Sequence, residues 1–144
     1  MATEAASLAR FLAGEVPPAE LSHREHLRFA FLTLAHYDFP ESVLLYSRAL
    51  RAVAEQAGRP EKFNQTLTIA LLSLIAERRA AGSGGDFEDF ARAHPELFDR
   101  SLLAHWYGSE RLGSPLARRT FLLPEPRAAL APGREPAERA ATAS

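Results

Sequence analysis

The chain has no cysteine. That excludes a disulfide framework, thiolate metal sites and a cysteine nucleophile, and it fits a reducing compartment. Charge of one sign is also missing: 17 Lys and Arg stand against 18 Asp and Glu, for a net charge of -1. A balance this even carries no electrostatic footprint for nucleic acid or an anionic membrane. Long apolar runs are absent. The longest, Ile69 to Ala76, is interrupted by Ser73 and falls far short of the roughly 20 residues a membrane span needs. The opening Met-Ala-Thr-Glu-Ala-Ala lacks a basic region followed by an apolar one, so no secretory leader is expected. These absences predict a soluble, cytoplasmic protein with neither a nucleic-acid nor a membrane partner. Strand signals are scarce as well, with no sustained period-two alternation and no Asn-Gly or Asp-Gly hairpin.

What is present is helix punctuation. A chain of 144 residues, 47% of them hydrophobic, has the size and apolar content of one globular domain. Residues 4–13 make a short amphipathic segment with Leu8, Phe11 and Leu12 on one side, ended by Gly14 and Pro17-Pro18. Ser22-His23-Arg24-Glu25 reads as a capping box that opens a second helix. Leu27, Ala30, Phe31 and Leu34 then form its core stripe. Asp38 with Pro40 opens a third helix, which stops at Gly58. The fourth is expected from Pro60 to Arg79 or Ala80, and its apolar stretch from Leu67 to Ala76 predicts a central, buried helix. After the Gly82 to Gly85 break, Asp86 caps a short helix, another is expected around Leu102–Tyr107, and Ser114-Pro115 opens a last turn ending near Phe121. From Pro124 the composition shifts to Pro, Ala, Arg and Glu, too polar to offset chain entropy. The expected organisation is all-α: a helical bundle over 1–123, with four main helices and short C-terminal ones, and a disordered tail over 124–144.

His23 and His26 are the chemically suggestive pair. Three residues apart on a helix, two imidazoles can converge on one ion or one substrate. In the first turn the positive end of the helix dipole disfavours imidazolium, and a neutral imidazole is the form that binds metal or accepts a proton. The competing reading is plain polarity at a helix start. His36, at the C-terminal end of the same helix, and His94, before Pro95, read as structural; His105, beside Trp106 and Tyr107, reads as packing. Asn64, Gln65, Thr66 and Thr68 open the fourth helix. They need partners if that helix is buried, and can bond each other, the histidines or a ligand. The chain has no Gly-x-Ser-x-Gly elbow, no phosphate loop and no His-Glu-x-x-His motif.

Leu21-Ser22-His23-Arg24-Glu25-His26-Leu27 resembles the opening motif, Trp-Thr-His-x-x-His-Leu, of a widespread family of small, mostly uncharacterised bacterial proteins. The family's later Tyr-His-Glu-Thr-x-Thr corresponds to Phe63-Asn64-Gln65-Thr66-Leu67-Thr68, and its closing Tyr-Ser-x-x-Arg-Leu-x-Ser-x-x-Ala-Arg is similar to the stretches from Ser101 to Tyr107 and from Ser109 to Arg119. The resemblance spans roughly residues 10–124. It implies that such a His pair works with the later helix, where typical members supply a further His and a Glu suited to one divalent metal. Here Asn64 and Gln65 replace them with neutral amides, which are poor ligands.

The resulting expectation is a small-molecule-binding helical protein of bacterial metabolism, with a specialised pathway as one setting. His23 and His26 would serve as acid–base groups for an isomerisation, dehydration or cyclisation without a cofactor, with Asn64, Gln65, Thr68, Tyr46 and Trp106 binding the substrate. Two alternatives stand beside it. One is a mononuclear protein holding a divalent transition metal through His23 and His26, completed by His36, His105 or Glu41; the other is a non-catalytic helical interaction module. A homodimer is compatible with each.

Overall fold

The computed structural model describes residues 3–82 and 84–126. Among them the chain forms α-helices and short 3-10 turns and no strand, so the fold class is all-α. The helices are α1 (Glu4–Leu12), α2 (His23–His36), α3 (Phe39–Gln56), α4 (Gln65–Ala81), α5 (Phe87–Ala93), α6 (Ser109–Leu112) and α7 (Pro115–Arg119). No helix among the described residues is long and apolar enough to cross a membrane.

Side-chain caps set most of the helix starts. Ser22 accepts from the Glu25 amide, Asp38 from Glu41, Asp86 from Asp89 and Ser114 from Ala117, each satisfying one amide that the helix itself leaves unpaired. Only half of the expected capping box forms, because the Glu25 carboxylate turns to Arg28, whose Nε donates to it at 2.5 Å. The fourth helix also starts later than Pro60. Pro60–Lys62 makes one 3-10 turn, Phe63 is extended, and Asn64 caps α4 by accepting from Leu67 N. The Asn side chain gives this boundary a partner that Pro60 cannot. The segment expected around Leu102–Tyr107 is a 3-10 turn over Leu102–His105, α6 was not anticipated, and α7 ends at Arg119.

α2 shares the centre of the bundle with α4. It packs against α1, α3, α4 and α5, and α4 packs against α2, α3 and α7; every residue from Phe29 to Leu34 is buried. Polarity inside this stretch is satisfied locally: the Thr33 hydroxyl donates to the Phe29 carbonyl at 2.6 Å. The apolar circumference of α4 exceeds what the core covers, and Leu67 remains 40% exposed. An aromatic cluster joins the first three helices. Phe11 of α1 stacks on Phe29 of α2 at 4.4 Å between ring centroids, 3° from parallel. It also meets Tyr46 of α3 at 5.5 Å.

The first turn of α4 fastens the C-terminal segment to the bundle. Asn64 Nδ2 donates to the Leu112 carbonyl, the Thr66 hydroxyl donates to Thr120 O, and Leu122 N donates back to that hydroxyl. Chain order persists past the boundary expected at Pro124. Glu125 N donates to Trp106 O, and the Glu125 carboxylate accepts from Gly108 N at 2.7 Å. The rest of the expected tail, 127–144, lies outside the described residues.

Phe11 is fully buried and is the main anchor of α1. Replacing Phe11 with Ala should cost about 3–5 kcal/mol, read as a lower midpoint in urea denaturation. A loss below about 1 kcal/mol would show that the cluster does not hold α1.

Candidate functional site

His23 and His26, in the first turn of α2, are half-buried, while Arg24 between them is exposed. This turn forms one wall of a cavity of about 360 Å³ lined by His23 and His26 together with Leu21, Leu67, Leu71, Leu97, Leu102 and Leu103. Asp99 and Arg100 complete the lining, and both are exposed, which sets them at the mouth. The lining sets a mostly apolar wall around a few polar groups.

His23 packs edge-on against Phe98, with ring centroids 6.4 Å apart and planes at 87°. Its Nε2 is buried and has no hydrogen-bond partner among the described residues. Leaving a buried polar atom unpaired costs on the order of 1–3 kcal/mol, and natural folds rarely do so without a reason.

His26 is held from behind. The hydroxyl of Tyr46, a residue buried in the aromatic cluster, donates to the His26 backbone carbonyl at 2.7 Å. Burial, reinforced by the neighbouring His23 and by the Arg100 guanidinium, lowers the His26 imidazole to a pKa of about 4. The ring is therefore neutral at pH 7, as its place in the first turn predicts, but desolvation is the main cause. Burial also raises the Tyr46 hydroxyl, which keeps it a donor to that carbonyl. At the mouth, the Asp99 carboxylate accepts from Ser101 N and from the Ser101 hydroxyl. These bonds hold its pKa below the usual carboxylate value, so Asp99 is an anion beside Arg100.

The remaining residues singled out in the sequence are dispersed. Asn64 and Thr68 do share a cavity with His26, a second one of about 310 Å³ between α3 and α4. Their polar atoms are engaged within the fold: Asn64 caps α4 and bonds Leu112, and the Thr68 hydroxyl donates to the Asn64 carbonyl at 2.7 Å. Gln65 lines neither cavity and donates to the Ser47 hydroxyl. Tyr46 acts on the site only through the His26 backbone. Trp106 lines a different cavity, with Ser73, Glu77 and Tyr107. The amides and hydroxyls of α4 thus fulfil the demand for partners by tying the C-terminal segment down, rather than by facing the His23 side of α2.

His36, His105 and Glu41 are exposed and none of them lines the cavity of the His pair. No group of three or more His, Asp or Glu side chains is placed to hold a metal ion among the described residues. The cavity residues that the sequence did not reveal are Asp99, Arg100 and the leucines from four separate segments. A charged pair between two short turns has no periodicity to mark it, and a leucine facing a cavity looks like a leucine facing the core. No family model, curated protein or solved structure matches the chain.

The lowered pKa of His26 has a measurable consequence. An imidazole that titrates near 6.5 when unfolded and near 4 when folded binds more protons in the unfolded state between those values. Its contribution to stability is complete above pH 6.5 and is lost as pH falls toward 4, by up to about 3 kcal/mol. Urea midpoints measured from pH 7 to pH 4 should therefore fall less steeply in His26→Gln than in the native chain. Equal slopes would show that His26 titrates normally.

Proposed function

We propose that the chain binds a small molecule in the His23–His26 cavity and performs proton transfer on it. The observation that carries this reading is the pairing of two imidazoles in an apolar cavity, one with a buried unpaired nitrogen. Several isomerisations need no more than this. One imidazole removes a proton from the carbon next to a carbonyl, the other holds the oxygen of the resulting enolate by a hydrogen bond, and the protonated first imidazole returns the proton at a different carbon. Atoms and charge balance with no further reactant.

Neutrality suits His26 to the donor role. A neutral imidazole with a proton on one ring nitrogen polarises a carbonyl without losing that proton, and the lowered pKa of His26 keeps it in this form. His23 is then the proton acceptor. The leucine walls reduce the local dielectric, which strengthens both contacts. Kinship with the bacterial family carrying the Trp-Thr-His-x-x-His-Leu motif belongs to the same proposal, with Asn64 beside His26 at the position of a family ligand. A bacterial, cytoplasmic setting and a place in specialised metabolism are parts of it too.

An enolisable ketone with an aromatic body, 2-tetralone, is a suitable probe. In D2O the protein should accelerate deuterium uptake at its α-carbons, followed by proton NMR. Replacing His23 with Gln should reduce that rate about a hundredfold, in the range that a positioned base supplies, with the fold intact by circular dichroism. A variant as fast as the native chain, or a native chain no faster than buffer, would overturn the assignment.

A further inference from the structure

His26 and Leu67 each line two cavities. One is the His23 chamber, and the other is the 310 Å³ chamber between α3 and α4, whose wall includes Leu50, Val53 and Phe63. The two chambers abut along these two side chains. The 40% exposure of Leu67, on a helix otherwise rich in buried apolar residues, is the surface that both chambers share.

The two ends differ in charge. The mouth of the His23 chamber carries one cation, Arg100, and one anion, Asp99. The second chamber has Arg59 and Lys62 in its wall and no acid. Glu61 pairs with Arg59 at 3.3 Å, and no ion pair to Lys62 occurs among the described residues. Arg51 lies over the Phe63 ring, 4.9 Å from guanidinium carbon to centroid, adding a further cation to this side. Between the ends the surface is largely aliphatic and aromatic.

We propose that the two chambers form one elongated site for an amphiphilic carboxylate, with the carboxylate at Lys62 and Arg59 and the apolar body crossing Leu67 toward the histidines. A cationic rim rewards an anion, and each further methylene on the apolar span raises affinity about fourfold. The histidines would then meet the end of the ligand remote from the carboxylate. This inference rests on the reading of the His cavity as a small-molecule site, and it specifies the class of molecule.

The test uses the full chain and three straight-chain probes of equal length: decanoate, decanol and decylammonium. Isothermal titration should show decanoate binding at least about tenfold tighter than either of the others, and tighter than butyrate. In NMR spectra, decanoate should shift resonances of both Phe63 and His23. Arg59 and Lys62 are exposed, so the doubly substituted Arg59→Ala, Lys62→Ala chain should fold normally and lose about tenfold in decanoate affinity. Equal binding of decanol and decanoate, no gain from butyrate to decanoate, or shifts confined to one chamber would overturn the inference. Its failure is separable from that of the acid–base reading. Deuterium uptake by 2-tetralone without decanoate binding sinks only the elongated site, and decanoate binding without uptake sinks only the chemistry.

Discussion

The hydrogen bond from the Tyr46 hydroxyl to the His26 carbonyl joins the core of this protein to its candidate site. Tyr46 belongs to the Phe11 and Phe29 cluster that locks α1, α2 and α3 together. A buried hydroxyl must have a partner, and here that partner is the backbone of the first turn of α2. The position of His26 is consequently set by packing across three helices rather than by its own side chain. A first turn, which would fray in an isolated helix, is thereby tied to the core.

The same economy explains why the cavity exists beside α2. This helix is surrounded by other helices, so its first turn can be walled on several sides by segments that come from far along the chain. The walls are supplied by α4 and by the turns after α5. Those turns are short, and they are held by their own buried leucines, Leu97, Leu102 and Leu103, packed against α2, α4 and α5.

Electrostatics divide the site without any large net charge. Desolvation keeps the imidazole of His26 uncharged. Two hydrogen bonds from Ser101 keep Asp99 charged, so that mouth carries one anion and one cation, Arg100. At the opposite end, near Phe63, three cations, Arg51, Arg59 and Lys62, stand with one acid, Glu61. A near-neutral chain can in this way present a polarised pair of chambers, which composition alone does not disclose.

The helices were legible because their signals are local. Ser22, Asp38, Asp86 and Ser114 each act on an amide three residues away, so reading a few neighbours suffices to place a helix start. The His pair was legible for the same reason: its spacing and its place in a first turn are properties of one helix. The start of α4 was misplaced because Pro60 and Asn64 compete as local signals, and the outcome depends on where Phe63 is buried. What only the tertiary structure decided is the company that the histidines keep. Apolar periodicity marks which face of a helix is covered, not which neighbour covers it, so the central place that α2 shares with α4 emerges only in the fold. The pairing of Asn64 with Leu112, of Tyr46 with the His26 carbonyl, and of the leucines with the two imidazoles all join residues distant in the chain. The sequence determined an all-helical chain with His23 and His26 side by side on a first turn. Only packing decided that this turn is walled in, because enclosure is a relation among segments and no single segment encodes it.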